Sequence, residues 1–322
     1  MILILSSSHD HSTNKVIDWL EKLGASWVRI DDQTPITIHI NINQDETRVQ
    51  LRQSRRVIHL SQVTAYWYRK GNFKINWTFP EDLRETVFAR QLYTYLIQEL
   101  KTIKDFLHTF LRSIPGIGNY QLAEPNKLTV LSMARSVGLK IPQTVVSNKP
   151  NYKFLTDQKW ITKASWEALH CMHESLGSMQ AYTQEVSTKK QGTHFPSLFQ
   201  TAIQKWYEVR CFYLDGTLYA MAIFSQADPQ TQTDFRKYNF ERPNRTVPYQ
   251  VPKKEAIKLH RLMQELELKS GSIDLIRAQN KEYYFLEVNP VGQFGMISGP
   301  CYYPLEKIIA QYLIKCQTSS TS

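Results

Sequence analysis

Two acids and an amide stand near one another towards the C-terminal end of the chain: Asp274, Glu287 and Asn289. Tyr283-Tyr284-Phe285-Leu286-Glu287-Val288 is aromatic and β-branched and predicts a strand. Residues two apart on a strand point to one face, so Glu287 and Asn289 project together. Ser272-Ile273-Asp274-Leu275-Ile276 predicts a neighbouring short strand, with Ala278-Gln279-Asn280-Lys281 as the turn between them. Such a hairpin sets Asp274 beside the Glu/Asn pair. Two carboxylates and an amide oxygen are hard ligands, suited to a Mg²⁺ that phosphates also hold. An exposed hairpin whose polar face happens to be acidic would show the same pattern.

Cationic positions lie upstream. Lys163 closes the strand-like Lys159-Trp160-Ile161-Thr162, where an ammonium can meet a phosphate as a point charge. Lys127 follows Asn126, a good N-cap, at the start of a helix expected to run to about Val137, with Gly138 ending it. The charge of Lys127 opposes the helix dipole there, and either lysine taken alone is more commonly a solvated surface residue. Residues 197–203 predict an apolar strand running into a hinge. Its Gln200-Thr201-Ala202-Ile203 can offer a backbone N–H and C=O to a base edge such as that of adenine. Tyr207-Glu208-Val209-Arg210-Cys211-Phe212-Tyr213-Leu214 predicts a strand with Glu208 and Arg210 on one face. Asp215-Gly216 is a turn signal, and 217–225 form the return strand. A half-exposed ion pair of little energetic weight also explains Glu208 and Arg210. Arg236, in the polar loop Asp234-Phe235-Arg236-Lys237-Tyr238, is either a phosphoryl contact or a solvated loop arginine.

These residues need a scaffold. Residues 1–5 (strand), 13–23 (helix) and 26–30 (strand) predict a βαβ beginning, its helix capped by Thr13-Asn14 and ended by Gly24. No GxGxxG follows the first strand, which leaves a dinucleotide site there unsupported. Residues 35–43 and 48–51 predict further strands, and 63–69 a strand ending at Arg69, equally a stacked surface arginine or a functional one. Residues 80–112 predict a long helix with an apolar face broad enough for an interior or a subunit interface. Ser113-Ile114-Pro115-Gly116-Ile117-Gly118 then breaks the pattern. The division expected is 1–114 as an N-terminal α/β domain, 115–195 as a central lobe and 196–322 as a C-terminal lobe.

A length of 322 residues allows two or three packed units, and 42% hydrophobic with 21% charged residues is ordinary for a globular protein. No run approaches the ~18 apolar residues of a membrane span. Met1-Ile2-Leu3-Ile4-Leu5 is too short and lacks the basic start of a signal peptide. Cys171, Cys211, Cys301 and Cys316 show no metal-type spacing and are expected as free thiols in a reducing cytosol. The net charge of +10 implies an anionic partner: nucleotide phosphates, nucleic acid or an acidic peptide. There is no arginine-rich tail or aromatic-basic module to favour nucleic acid.

The order of these signals is more informative than any one of them. Lysine, lysine, Gln-x-x-Ile hinge, Glu-x-Arg strand, loop arginine, Asp and then Glu-x-Asn resembles the ATP-grasp superfamily from about residue 115 to the end. Residues through 114 look like the α/β domain that precedes the grasp lobes. A narrower likeness is to the peptide-maturing ATP-grasp ligases of graspetide (microviridin-like) pathways, in the branch associated with GRASP-with-SPASM gene clusters. It is carried by Asn14-Lys15-Val16-Ile17-Asp18-Trp19-Leu20, Trp67-Tyr68-Arg69-Lys70-Gly71, Asp234-Phe235-Arg236 and Glu287-Val288-Asn289-Pro290-Val291-Gly292-Gln293-Phe294-Gly295-Met296.

The resemblance implies an α/β (α+β) ATP-grasp fold with an N-terminal Rossmann-like pre-ATP-grasp domain. It implies that Lys127 and Lys163 bind ATP phosphates and that Thr201 and Ala202, after Gln200 and before Ile203, meet adenine through the backbone. Glu208 would reach the ribose, Arg210 and Arg236 would support the transferring phosphoryl group, and Asp274, Glu287 and Asn289 would hold Mg²⁺. One departure is the stretch 164–179, whose single glycine weakens the expectation of a phosphate-covering loop. The implied partner is a ribosomally made precursor peptide, leader plus acidic core, handled by a cytoplasmic homodimer with no membrane attachment. Its Asp/Glu side chains would be activated as acyl-phosphates and closed by Thr, Ser or Lys into ester or amide macrocycles. Two other readings share parts of this pattern: an ATP-grasp ligase adding free amino acids to a carboxylate, and a non-catalytic basic peptide- or RNA-binding protein.

Overall fold

The computed structural model describes residues 1–79, 86–149, 159–166, 170–173, 177–180, 183–186, 195–228, 239 and 241–319. In chain order the elements are β1 (Ile2–Ser6), α1 (His11–Lys22), β2 (Trp27–Asp31), β3 (Ile36–Ile42), β4 (Thr47–Gln53), β5 (Arg56–His59), β6 (Ala65–Arg69), α2 (Val87–Arg112), β7 (Gly116–Ile117) and α3 (Lys127–Ser136). There follow β8 (Thr144–Ser147), β9 (Trp160–Lys163), β10 (His170–His173), β11 (Gly177–Gln180), β12 (Gln184–Glu185), β13 (Ser197–Thr201), β14 (Lys205–Leu214) and β15 (Thr217–Phe224). The last are β16 (Arg245–Tyr249), α4 (Lys253–Glu265), β17 (Ser270–Ala278), β18 (Tyr283–Asn289), α5 (Gly295–Cys301) and α6 (Leu305–Ser319). They fall into two compact units, 1–123 with 304–322, and 124–303. The last helix, α6, belongs to the first unit.

The first unit is built on a parallel sheet of order β2-β1-β6-β7. β1 is buried along its whole length, which is why its sequence is an unbroken apolar run. α1 buries Val16, Ile17 and Leu20. Its cap is Asp10, whose carboxylate accepts from the amides of Ser12 and Thr13, rather than the Thr13-Asn14 pair expected from the sequence. α6 buries Leu305, Ile309 and Leu313, a helical stripe, and lays Lys307 over the Trp19 ring of α1 at 5.3 Å. Arg69 ends β6 buried, and its Nε donates to Asp10 at 3.1 Å, so it is neither a stacked surface arginine nor a solvent-facing one. Gly116 is required where β7 meets β6, because a Cβ there would lie 1.7 Å from the Tyr66 carbonyl oxygen. A separate antiparallel sheet, β3-β4-β5, includes a strand, β5, that the sequence reading passed over.

The second unit carries three antiparallel sheets: β12-β9-β13-β8, the hairpin β10-β11, and β16-β15-β14-β17-β18. The five-stranded sheet has chemically different faces. Val209, Cys211 and Tyr213 share one face of β14, and Tyr213 meets His260 of α4, its hydroxyl 2.7 Å from Nδ1. Glu208, Arg210 and Phe212 alternate onto the other, where Phe212 packs on Phe294 with centroids 5.4 Å apart. Asp215 and Gly216, both with positive φ, close the β14–β15 hairpin as their sequence promised. No helix among the described residues is long and apolar enough to cross a membrane.

A buried residue about one turn before the end of α2 bears on stability. His108 is 2% exposed, stacked on Tyr120 at 3.8 Å and tilted on Phe73, and neither ring nitrogen has a hydrogen-bond partner among the described residues. Burial lowers its pKa from 6.5 to about 4; Asp105 opposes that shift and Lys104 adds to it. The unfolded chain therefore binds the proton more readily, and the contribution of His108 is full above about pH 6.5 and lost as pH falls towards 4. Denaturant unfolding followed over that range should show a His108-dependent loss on the order of 3 kcal/mol. The variant His108→Phe should lack it; an identical pH dependence in that variant would refute the assignment.

Candidate active site

The predicted hairpin exists. β17 and β18 pair antiparallel with Asp274 directly opposite Glu287 and Ser272 opposite Asn289, so the two acids and the amide lie on one face. A register shift after Asp274 leaves Leu286 as the extra residue on β18. Asn289 is fixed by its own turn, its Oδ1 accepting from the Val291 amide at 3.1 Å. Gly292 lets that turn fold back over β17, since a Cβ would come 2.5 Å from the Ser272 side chain.

Like charges directly opposite one another on a sheet repel, and each acid here has a cation. Arg210 sits opposite Asp274 on the other side of β17. Its Nη1 donates to both carboxylate oxygens, at 3.1 and 3.0 Å. Lys127, at the first turn of α3, places Nζ 3.7 Å from Glu287 and donates to the Trp166 carbonyl at 2.6 Å. The structure thus brings Lys127, Arg210, Asp274, Glu287 and Asn289 into one neighbourhood. The donor set of two carboxylates and an amide oxygen is all oxygen, the ligand type that a divalent cation such as Mg²⁺ takes.

A cleft beside this row takes in most of the remaining candidates. Lys163, Gln200, Thr201, Ile203, Glu208, Asp274 and Glu287 line it together with Pro142, Ile161, Ile276 and Leu286. Its cavity volume is about 90 Å³ in this structure. The register of the β12-β9-β13-β8 sheet explains the grouping. Ile161 and Thr144 flank Gln200 on either side, and Lys163 flanks Leu198 two residues along, so Lys163, Ile161, Thr144 and Gln200 share a face.

Gln200 is 1% exposed and its orientation is determined by its neighbour. The Thr144 hydroxyl donates to the Pro142 carbonyl at 3.0 Å, so it must accept from Gln200 Nε2, 2.9 Å away. Gln200 Oε1 is left with no donor among the described residues. The hinge corrects one expectation. The Thr201 amide donates to Gln143 and the Ala202 amide to Lys159, so neither N–H is open to a base edge. What the hinge can still offer is carbonyl oxygens and, next along, the Ile203 amide. Arg236 lies outside the described residues.

Glu208 is 5% exposed, bonded to Lys205 through Oε1 and receiving the Ser225 hydroxyl on Oε2 at 2.6 Å. Burial holds its pKa above the ordinary carboxylate value against the opposing pull of Lys205 and Ser225. Lys205, Ser225 and Thr144 escaped the sequence reading. Ser225 and Thr144 carry no local signal, and the strand alternation that marks Glu208 and Arg210 assigns Lys205 to the wrong face.

Comparison with known proteins gives this arrangement a class. Residues 1–121 match the family of the MvdD pre-ATP grasp domain. No curated protein matches the chain. Among solved structures, a RiPP-associated ATP-grasp ligase from Chryseobacterium gregarium, in complex with ADP and a leader and core peptide, superposes with a TM-score of 0.83 at 23% identity, covering 98% of this chain and 96% of that one. The macrocyclase MdnC from Microcystis aeruginosa MRC, bound with precursor peptide MdnA, gives 0.77 at 24% identity over 98% and 99%. MdnB from the same organism gives 0.71 at 24% identity over 97% and 98%. The chain has the ATP-grasp fold, with a pre-ATP-grasp domain of the MvdD type at its N-terminus. The microviridin-like resemblance read from the sequence is met; the narrower GRASP-with-SPASM branch rests on sequence motifs alone.

The ion-pair row makes a specific demand on stability. Arg210→Met removes the arginine that holds both oxygens of the partly buried Asp274 beside Glu287, and should lower the unfolding free energy by about 3 kcal/mol. Adding Asp274→Asn to that variant should restore much of the loss. Chemical denaturation of the four combinations measures the coupling, and strict additivity would mean that the pair does not interact.

Proposed function

We propose that this protein is an ATP-dependent, ADP-forming carboxylate ligase that closes macrocycles in a ribosomally made precursor peptide. The observation that carries the proposal is the row Arg210–Asp274–Glu287–Lys127 at the mouth of a cleft lined by Lys163, Gln200 and Glu208. It occurs in a chain whose structural relatives are described as a peptide-bound RiPP ligase and a macrocyclase bound to its precursor. In the site proposed here, Asp274, Glu287 and Asn289 hold Mg²⁺, which supplies charge neutralisation where phosphates and carboxylate meet. Lys163 and Lys127 hold phosphates, and Glu208 holds the ribose. Gln200 Oε1, an acceptor by construction, favours a base that presents an amino group over one that presents a carbonyl.

A side-chain carboxylate of the peptide attacks the γ-phosphoryl group, giving an acyl-phosphate and ADP. A hydroxyl or amine of the same peptide then displaces phosphate, leaving an ester or amide and, in sum, one water lost per ring. The reactants are all anionic, so cations fixed before the reaction supply most of the stabilisation. Arg210 is held in place for this by Asp274, and Arg236 is proposed as its loop-borne counterpart. A precursor with an acidic core also gives the +10 charge a partner. Cys211, Cys301 and Cys316 are buried free thiols, which supports a reducing, cytoplasmic location.

Mass spectrometry of an acidic precursor peptide incubated with the protein, ATP and Mg²⁺ should show successive losses of about 18 Da, one per ring, with ADP released. Substituting GTP should abolish them, and Glu287→Ala should slow them by about 10²–10³-fold. A peptide that gains mass only when a free amino acid is supplied would replace this reading with an amino-acid-adding ligase. Unimpaired peptide binding by Glu287→Ala without any turnover in the wild type would leave a binding protein.

We further propose a homodimer formed through the first half of α2. Val87 is 70% exposed there, and Phe88 and Tyr95, also exposed, lie on the same side of the helix. Sedimentation should give twice the 37.7 kDa chain mass, and Phe88→Glu should return it to the monomer.

A further inference from the structure

A strand alternates its side chains, so residues three apart face opposite sides. Lys205 and Glu208 are three apart on β14, yet they form an ion pair and line the same cleft. The reason is a β-bulge. Lys205 pairs with Ala278 and Tyr207 with Arg277, so two steps along β14 match one along β17 and Trp206 is the extra residue. Trp206 turns outward, 53% exposed, and the parity of everything before it is inverted. The bulge carries an ammonium onto the face where the buried carboxylate lies. Ser225, fully buried, closes the other side of that carboxylate.

We propose that Lys205 is a positioning residue of the nucleotide site: re-aimed by the Trp206 bulge, it clamps Glu208 against Ser225 so that the carboxylate meets the ribose hydroxyls in one fixed, ionised form. This rests on the nucleotide reading given above. A carboxylate gripped on both oxygens cannot swing away, and each oxygen keeps a further lone-pair direction for a hydroxyl donor. An ion pair kept only for stability has no need to lie in a cleft, since apolar residues of similar volume commonly replace such pairs without loss. The charged groups around Glu208 are Lys205 and Arg210 on β14, Asp274 on β17, Glu287 on β18 and Lys163 on β9. Of these, Lys205 alone is bonded to it in the described structure.

The test is calorimetric binding of ADP and of its 2′-deoxy and 3′-deoxy forms to the full chain, wild type and variants, across the carboxylate titration range. The wild type should bind ADP about tenfold more tightly than the analogue lacking the contacted hydroxyl. In Lys205→Met, ADP affinity should fall by about tenfold, and the ribose preference should disappear. The acid-side loss of affinity should move to higher pH, because the ammonium that offsets burial has gone; Lys205→Arg should recover most of both properties. A Lys205→Met protein that keeps the ribose preference and the pH profile overturns the inference while leaving the nucleotide site standing. A wild type that binds no adenine nucleotide overturns the nucleotide reading itself. Should Lys205→Met be poorly folded, the double variant Lys205→Met/Glu208→Gln leaves no unpaired charge. It should bind ADP no more weakly than Glu208→Gln alone, and a further loss on the double would overturn the coupling.

Discussion

The second unit depends on how two carboxylates can be kept face to face. Asp274 and Glu287 are direct cross-strand partners, a placement that repulsion disfavours. Arg210 grips one from the neighbouring strand and Lys127 approaches the other from a helix start. Much of the local architecture follows from that need. β14 must lie next to β17 in the register that sets Arg210 opposite Asp274, and α3 must begin where its first lysine reaches β18. Sequence order, strand pairing and charge balance are therefore one constraint seen at three levels.

Around this row the fold uses irregularity to aim side chains. Two register shifts interrupt the five-stranded sheet, one at Trp206 and one at Leu286, and Lys205 beside the first and Leu286 at the second line the same cleft. Each breaks strict alternation, at some cost in ladder hydrogen bonds, and each places a side chain where a regular strand would not. Gln200 shows a related economy: Thr144 and Pro142 fix its amide, leaving a buried acceptor without a donor among the described residues. Such an acceptor costs about 1–3 kcal/mol when unpaired, which is the kind of local deficit found where a fold is shaped for a ligand rather than for itself.

The first unit follows a different logic, that of packing. Its parallel sheet is buried through β1, and its polar interior residues serve structure: Asp10 caps α1 and also receives Arg69, while His108 lies neutral among aromatic rings. Arg69 shows how a motif residue can carry family likeness through architecture. Its burial against Asp10 ties the end of β6 to the start of α1.

What the sequence determined by itself was whatever depends on local pattern. The buried run of β1, the Asn126 cap, the Asp215-Gly216 turn and the period-two faces holding Glu208 with Arg210 and Glu287 with Asn289 all follow from residue type and spacing. So did the hairpin that brings Asp274 to Glu287, because one short turn joins its strands. Tertiary structure decided the rest. The ion-pair partners of the acids, the Thr144–Gln200 relay, the capture of Leu305–Ser319 by the first unit and the availability of the hinge amides depend on contacts between distant segments. No local pattern encodes such contacts. Lys205 is the clearest instance. Its sequence position assigns it to the apolar face, and only the mismatch in length between β14 and β17, absorbed at Trp206, turns it towards Glu208.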